Sequence, residues 1–249
     1  MSPYTRAIRA FVVACVLAAI GLGCGKKHIT TGPIPPSAST QTSMTGVFVG
    51  AAENGLLDLT IAIAPLTTAI DTVVAAAAVM SPDGGGVINL TGTYATATDS
   101  LVLHGQGFSL AGLYLENGAP ARLAGSYSGP GGTGSFAALI GARPSVQSFC
   151  ATYENNAATR FGTFDLVIGG STLAGFEVED GDTAVVAVLG QVSGSGGTLQ
   201  LAFAGNPFVG SGTWQLVAGH VAGTYTAGAQ SGAWSGDRCL PGTTGTSSP

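Results

Sequence analysis

Apolar and polar residues alternate with a period of two through much of the chain after residue 43. The pattern is clearest in residues 57–63, 163–168 and 199–203. Such alternation places one set of side chains on a core face and the other on the opposite face, as in half-buried antiparallel strands. Glycine-rich turn signals separate the apolar runs roughly every ten residues. The pattern therefore predicts an all-β fold of short strands joined by hairpins.

One segment gives two conflicting signals. Residues 71–80, DTVVAAAAVM, contain four consecutive alanines, which favour a helix, beside Thr-Val-Val, which favours a strand. The neighbouring segments alternate with the period of a strand. We therefore predict a strand here as well.

The chain repeats itself with an offset of 98 residues, as from Tyr127 to Tyr225. Residues 125–127, Gly-Ser-Tyr, match residues 223–225, Gly-Thr-Tyr, and the glycines and leucines before them match in the same register. Further upstream, residues 57–59, Leu-Asp-Leu, match residues 164–166, Phe-Asp-Leu, at the larger offset of 107. The first repeat therefore contains extra residues somewhere between the two matching regions.

These matches predict two homologous units, residues 44–141 and 148–240, joined by residues 143–145. Each unit has room for about eight short strands in an antiparallel up-and-down meander, and we expect each to close into a small barrel. Such a barrel is either filled by side chains or holds one small ligand. The rival architecture is a single sixteen-stranded barrel in an outer membrane.

Two cysteines of the predicted body support closure of the second unit. Cys150 lies in its first predicted strand and Cys239 follows its last. An even pair in an oxidising compartment is expected to form a disulfide, which would join the first and last strands. The alternative, a zinc site, is poorly served by two cysteines without a neighbouring histidine.

The charge balance excludes one class of partner. From residue 29 onward there is no lysine, and four arginines stand against thirteen acidic residues, which leaves a net charge of −9. A nucleic-acid surface requires clustered positive charge, so we expect no nucleic-acid partner.

The N-terminal segment has the order of a secretory signal. Arg6 and Arg9 precede the apolar run 10–20, and the small residues Gly21 and Gly23 come before Cys24. The apolar run is too short for the roughly 20 residues of a spanning helix. We predict a signal peptide over residues 1–23.

The residues Gly21-Leu22-Gly23-Cys24 resemble the lipobox of bacterial lipoproteins. The resemblance implies cleavage before Cys24, a lipid on its thiol, and an extracytoplasmic position on a membrane, with the outer membrane expected. The aliphatic residue of the family pattern is displaced here, so secretion without a lipid and a retained membrane helix stay open. Residues 24–43 are rich in proline, serine and threonine and are predicted to form a disordered tether, and residues 241–249 a disordered tail.

Few residues suggest catalysis. The body lacks a G-x-S-x-G motif, and without lysine it cannot form a Ser-Lys pair. The segment 129–134, GPGGTG, lies between two β runs and is interpreted as a turn rather than a dinucleotide site. Asp58 and Asp165 occupy equivalent outward positions, and we interpret both as solubilising charges. We expect no enzymatic activity and no cofactor.

One acidic cluster is a candidate for metal binding. Its four carboxylates surround a predicted tight turn, and oxygen ligands of this kind suit Ca²⁺. The alternative is a solvated hairpin tip. The cluster consists of Glu177, Glu179, Asp180 and Asp182.

Taken at the level of function, the sequence predicts a non-enzymatic exported envelope lipoprotein that acts as an interaction or structural module. Its expected partners are the membrane, through the lipid anchor, and an envelope protein or a small hydrophobic ligand. The alternative is small-molecule binding inside a barrel, similar to lipocalins in architecture alone.

Overall fold

A computed structural model describes residues 41–50, 53–63, 66, 72–116, 121–181, 184–203 and 210–239. Within these ranges every regular element is a β-strand, and no helix is long and apolar enough to span a membrane. The predicted signal peptide, Cys24, nearly all of the predicted tether and the tail lie outside the described residues. The all-β fold class is confirmed.

The strands form two closed antiparallel barrels of eight strands each. The first, barrel 1, consists of β1 (Thr42–Gly50), β2 (Asn54–Ile61), β3 (Val73–Pro82), β4 (Ile88–Ala95), β5 (Ser100–Gly105), β6 (Phe108–Leu115), β7 (Arg122–Gly129) and β8 (Gly132–Ile140). The second, barrel 2, consists of β9 (Val146–Asn155), β10 (Phe161–Gly169), β11 (Thr172–Glu179), β12 (Val185–Ser193), β13 (Gly196–Phe203), β14 (Gly210–Val217), β15 (His220–Ala227) and β16 (Gln230–Arg238).

Both barrels close by pairing their first and last strands. In barrel 1 the β1–β8 ladder runs from Met44 opposite Ile140 to Gly50 opposite Gly134. In barrel 2 the β16–β9 ladder runs from Gly232 opposite Asn155 to Arg238 opposite Phe149. Each remaining strand pairs with its sequence neighbours, which is the predicted meander. The alternative of one sixteen-stranded barrel is therefore wrong.

The ambiguous alanine run is a strand, as predicted. β3 pairs with β2 on one side and β4 on the other, and its burial alternates. Ala76, Ala78 and Met80 face the interior of the barrel and are buried. The two neighbouring strands thus override the helical preference of alanine.

The repeat is visible in the strand register. Residues 57–59 in β2 and 164–166 in β10 hold equivalent places, since Leu59 pairs with Met44 and Leu166 pairs with Phe149 across the first ladder of each barrel. The connection between β2 and β3 spans residues 62–72, whereas β10 and β11 are joined by residues 170–171. The extra residues of the first repeat lie in that connection.

The interior of each barrel is occupied by side chains. One apolar cluster fills barrel 1 around Phe48, and another fills barrel 2 around Trp234, whose ring stacks on Phe164 with 4.6 Å between centroids. Gly223 faces the same ring from β15, and a Cβ there would lie 2.7 Å from the indole. Glycine is therefore required at this position to accommodate the large neighbour. In the part of the chain that the structure describes, apolar side chains therefore pack within both barrels.

The two barrels pack against each other through an apolar contact that the alternation does not predict. The outer faces of β1 and β8 meet the outer faces of β9, β10 and β11. Phe176 and Val178 of β11 are buried in this contact rather than exposed. The contact comprises two clusters, one of Val49, Ala137, Leu139, Val146, Val167, Ala174, Phe176 and Val178, the other of Val47, Leu56 and Cys239.

Candidate functional site

At one end of barrel 2 the inward-facing side chains enclose a cavity of about 580 Å³, here called the barrel-2 mouth. Strands β9, β11, β12 and β13, the residue just before β10 and the β15–β16 hairpin contribute to it. Its polar lining residues are Tyr153, Arg160, Glu177, Glu179, Tyr225 and Gln230. Its apolar lining includes Val186, Leu201 and Ala227.

The alternation of strands β10 and β11 explains why charged groups point into the mouth. Phe164 faces the interior of barrel 2, so Arg160, four residues earlier, lies on the same phase. Leu173 also faces the interior, and the same period of two carries Glu177 and Glu179 to the inner face of β11. Glu177 and Glu179 therefore line a cavity and are only part-exposed, unlike residues of a solvated hairpin tip.

Arg160 and Glu179 form a bidentate ion pair across the mouth. Arg160 Nε donates to Glu179 Oε1 at 2.6 Å, and Arg160 Nη2 donates to Glu179 Oε2. This hydrogen bonding raises the pKa of Arg160 above its ordinary value. The fork geometry of the guanidinium and carboxylate fixes both side chains.

The turn that precedes β10 is held by Asn155. Its Oδ1 accepts hydrogen bonds from the backbone N–H groups of Thr159 at 2.8 Å and Arg160 at 3.1 Å. Asparagine commonly bonds to the backbone a few residues ahead in this way, which stabilises a turn. The Arg160 backbone is therefore held at the end of β9, and its side chain lies in the mouth.

Glu177 has a different partner. The Tyr153 hydroxyl donates a hydrogen bond to its carboxylate, and the Tyr153 ring meets Tyr225 edge-on with 5.7 Å between centroids. Burial raises the pKa of Glu177, and the Tyr153 hydrogen bond acts in the opposite direction. Burial and then the charge of Glu177 raise the pKa of Tyr153, so the phenol stays protonated and remains a donor.

The calcium candidate is only partly assembled. Glu177 and Glu179 come together in the mouth, each with a hydrogen-bonding partner, whereas Asp180 is exposed in the turn after β11. Asp182 lies outside the described residues. Among those the structure describes, no group of three or more His, Cys, Asp or Glu side chains is arranged to hold a metal ion.

The corresponding end of barrel 1 has a different lining. By register Glu177 corresponds to Met80, because each lies opposite the equivalent residues Phe164 and Leu57. Glu179 corresponds in the same way to Pro82. The tyrosine pair is replaced by Phe48 and Tyr127, with 5.3 Å between ring centroids. No counterpart of the bidentate ion pair is present at these positions.

Two further depressions are lined by described residues. One, of about 710 Å³, adjoins the glycine-rich turn 84–86 at the end of barrel 1 and includes Glu53 and Asp83. The other, of about 780 Å³, lies along β13–β15 and includes Gln215 and His220. The barrel-2 mouth differs from both in joining a fixed ion pair, a tyrosine pair and an apolar wall.

The disulfide forms as predicted. Cys150 on β9 is bonded to Cys239, with 5.4 Å between their Cα atoms. It links the first strand of barrel 2 to the residue after its last strand. Cys239 also packs against Val47 and Leu56 of barrel 1, so the bond lies within the inter-barrel contact.

The interpretation of Asp165 as a solubilising charge is wrong. Its side chain points outward from β10, but barrel 1 packs over that face and leaves the residue 1% exposed. The backbone N–H of Ala151 donates to the carboxylate, while Oδ2 has no hydrogen-bonding partner. Burial, reinforced by the charge of Asp83, raises the pKa of Asp165 well above its ordinary value.

Asp58, the counterpart of Asp165 in barrel 1, is partly solvated. Arg143 Nε donates to Asp58 Oδ1 at 3.1 Å, and the Asp58 side chain remains 41% exposed. Two histidines lie at the surface: His104 is exposed, and His220 Nδ1 contacts Asp237 Oδ1 at 2.9 Å. Residues 129–134 form the β7–β8 hairpin.

Sequence reasoning missed Arg160, Tyr153 and Tyr225 as site residues. The signal was present in the repeat, since Arg160 aligns with Glu53 and Glu177 with Met80. Comparisons of the chain with protein-family models, curated proteins and solved structures give no match. The equivalent positions of barrel 1 therefore serve as the reference for the mouth residues of barrel 2.

Proposed function

We propose that the chain is a non-enzymatic binding module, exported and held at a bacterial membrane by a lipid on Cys24, with the outer membrane as its location. The observation that carries the binding role is the barrel-2 mouth. A concave site with apolar walls and a few fixed polar groups is the usual form of a small-ligand site. Its volume of about 580 Å³ is also of that class.

The filled interiors direct the ligand to the mouth. Phe149, Trp214 and Trp234 occupy the centre of barrel 2, so a ligand cannot enter as it does in a hollow barrel. The mouth instead ends on Tyr153 and Tyr225, which form its floor above the apolar core. The proposed ligand therefore binds at the end of the barrel, where water also reaches the ion pair.

The lipid anchor is supported by the sequence that precedes the barrels. Cys24 follows a short apolar segment with small residues at the proposed cleavage point. The disulfide is compatible with this assignment, because structural disulfides persist in oxidising compartments outside the cytoplasm. Lys26 and Lys27 come directly after the anchor and add a small attraction to anionic headgroups.

The proposal is tested with a variant that fills the mouth. In Ala227→Trp an indole replaces a methyl group among the lining residues, whereas Thr226→Trp places the same indole on the exposed outer face of β15. Native mass spectrometry of the full chain from envelope extracts should show a retained small molecule with the wild type and Thr226→Trp. Ala227→Trp should lose it.

Two outcomes would overturn the binding role. One is a wild-type protein that retains no small molecule and is stabilised by none in a thermal-shift screen of metabolites. The other is a ligand that Ala227→Trp retains as well as the control does. Either result would favour a purely structural module.

A further inference from the structure

The charges that face the barrel-2 mouth do not cancel. Glu177 and Glu179 are opposed by one cation, Arg160. Among the described residues, the Arg160 side chain donates from both Nε and Nη2 to Glu179, so the bidentate pair satisfies Glu179. Glu177 is left with a neutral tyrosine hydroxyl as its hydrogen-bonding partner. The charge of Arg160 also acts on Glu177, so the mouth holds two carboxylates that share one guanidinium.

The surroundings of Glu177 suit a positive charge on an apolar stem. The faces of aromatic rings attract cations, and Tyr153 and Tyr225 lie beside the carboxylate. Val186 and Leu201 provide an aliphatic wall on the neighbouring strands. A ligand that offered only polar groups would leave this wall in contact with water.

We infer that the barrel-2 mouth binds a primary ammonium group on a short aliphatic chain, with the nitrogen at Glu177 and the stem along Val186 and Leu201. This inference rests on the proposed binding function and adds the chemistry of the ligand. The ammonium donates a hydrogen bond to the Glu177 carboxylate and replaces the missing counter-charge. A free alkylamine and a lysine side chain share this chemistry.

An anionic ligand fits the same site poorly. It would have to break the Arg160–Glu179 pair to obtain hydrogen bonds, and it would then lie beside two uncompensated carboxylates. The charge of the whole body acts in the same direction, because the net charge of −9 from residue 29 onward attracts cations and repels anions.

Isothermal titration calorimetry of the full chain tests the inference with three probes of equal length: n-pentylammonium, 1-pentanol and pentanoate. We expect n-pentylammonium to bind more tightly than either of the others. Glu177→Gln keeps the shape of the side chain and removes its charge, and it should weaken n-pentylammonium binding by roughly tenfold or more. Glu154→Gln, on the exposed outer face of β9, is the matched control and should leave binding unchanged.

A second variant changes affinity in the opposite direction. Arg160→Gln removes the cation from the mouth and leaves two carboxylates for the ligand, so n-pentylammonium should bind more tightly. Misfolding cannot produce a gain in affinity. Wild-type affinity should also fall as the pH is lowered through the raised pKa of Glu177, whereas the affinity of Glu177→Gln should be independent of pH over that range.

The possible failures separate the inference from the proposed function. If 1-pentanol or pentanoate binds as tightly as n-pentylammonium and Ala227→Trp blocks it, the mouth is a binding site but the ammonium assignment is wrong. If none of the probes binds and no small molecule is retained, both are wrong. Tighter binding of Nα-acetyl-lysine methylamide than of n-pentylammonium would identify a lysine side chain as the source, and the reverse a free amine.

Discussion

The two barrels have the same strand topology, but they differ in covalent closure and in the side chains at one end. Both are eight-stranded meanders with an edge-on aromatic pair at the same end, Phe48 with Tyr127 and Tyr153 with Tyr225. Barrel 1 closes by hydrogen bonds alone, whereas a disulfide also staples barrel 2. Charged groups replace methionine and proline at the mouth of barrel 2. The two barrels thus keep the same strand topology and aromatic positions while the residues at the mouth differ in charge.

The largest expected difference between the barrels comes from the disulfide. Its two cysteines are separated by 89 residues, and the chain-entropy model gives about 4.6 kcal/mol for closing such a loop. Cys150→Ala with Cys239→Ala should therefore lower the free energy of unfolding by about this amount in urea titrations. Reductant should have the same effect on the wild type and none on the double variant. An unchanged unfolding midpoint would mean that hydrogen bonding closes both barrels equally well.

The inter-barrel contact gives the next largest effect. Phe176 on β11 is 7% exposed in that contact, and its counterpart on β3, Val79, is 36% exposed. Phe176→Ala should lower the free energy of unfolding by about 3 kcal/mol, because a buried aromatic side chain is lost. Val79→Ala should cost about 0.5 kcal/mol or less, as exposed substitutions do. Equal effects of the two substitutions would show that the barrels do not pack through this face.

Features that depend on neighbouring residues in the chain can be predicted from the sequence, whereas features that depend on contacts between the two barrels cannot. The alternation and the repeat predict the strands, because each depends on neighbours in the chain. The pairing of Cys150 with Cys239 follows from the order of the strands. The burial of Asp165 and Phe176 does not, because it depends on a second barrel covering one outer face. The role of Arg160 does not follow from the sequence either, because its partner Glu179 lies on a different strand and meets it only in the closed barrel.

A smaller difference concerns the two equivalent aspartates. Burial raises the pKa of Asp165 in the folded protein above its unfolded value near 3.8, so the folded state holds this proton more tightly. Its contribution to the free energy of unfolding is complete at low pH and is lost as the pH rises through the folded-state pKa. Asp165→Asn should therefore stabilise the protein at pH 7, where the folded state would otherwise have to bury a carboxylate or hold its proton. The difference should vanish near pH 4.

Asp58→Asn is the control for this comparison. Asp58 is part-exposed and pairs with Arg143, so the substitution should lower stability slightly at pH 7, by about 0.5 kcal/mol. Thermal unfolding of both variants between pH 4 and pH 8 separates the two responses. A destabilised Asp165→Asn at pH 7 would mean that its carboxylate is ionised and paired in the folded state.

The central claim is that barrel 2, and not its counterpart, binds a ligand at its mouth. Titration of the ¹⁵N-labelled body with n-pentylammonium, followed by amide chemical shifts, tests it most directly. We expect saturable shifts at Arg160, Glu177 and Tyr225, with none at the corresponding Glu53, Met80 and Tyr127. Shifts of equal size at both ends, or shifts confined to residues outside the barrel-2 mouth, would contradict it.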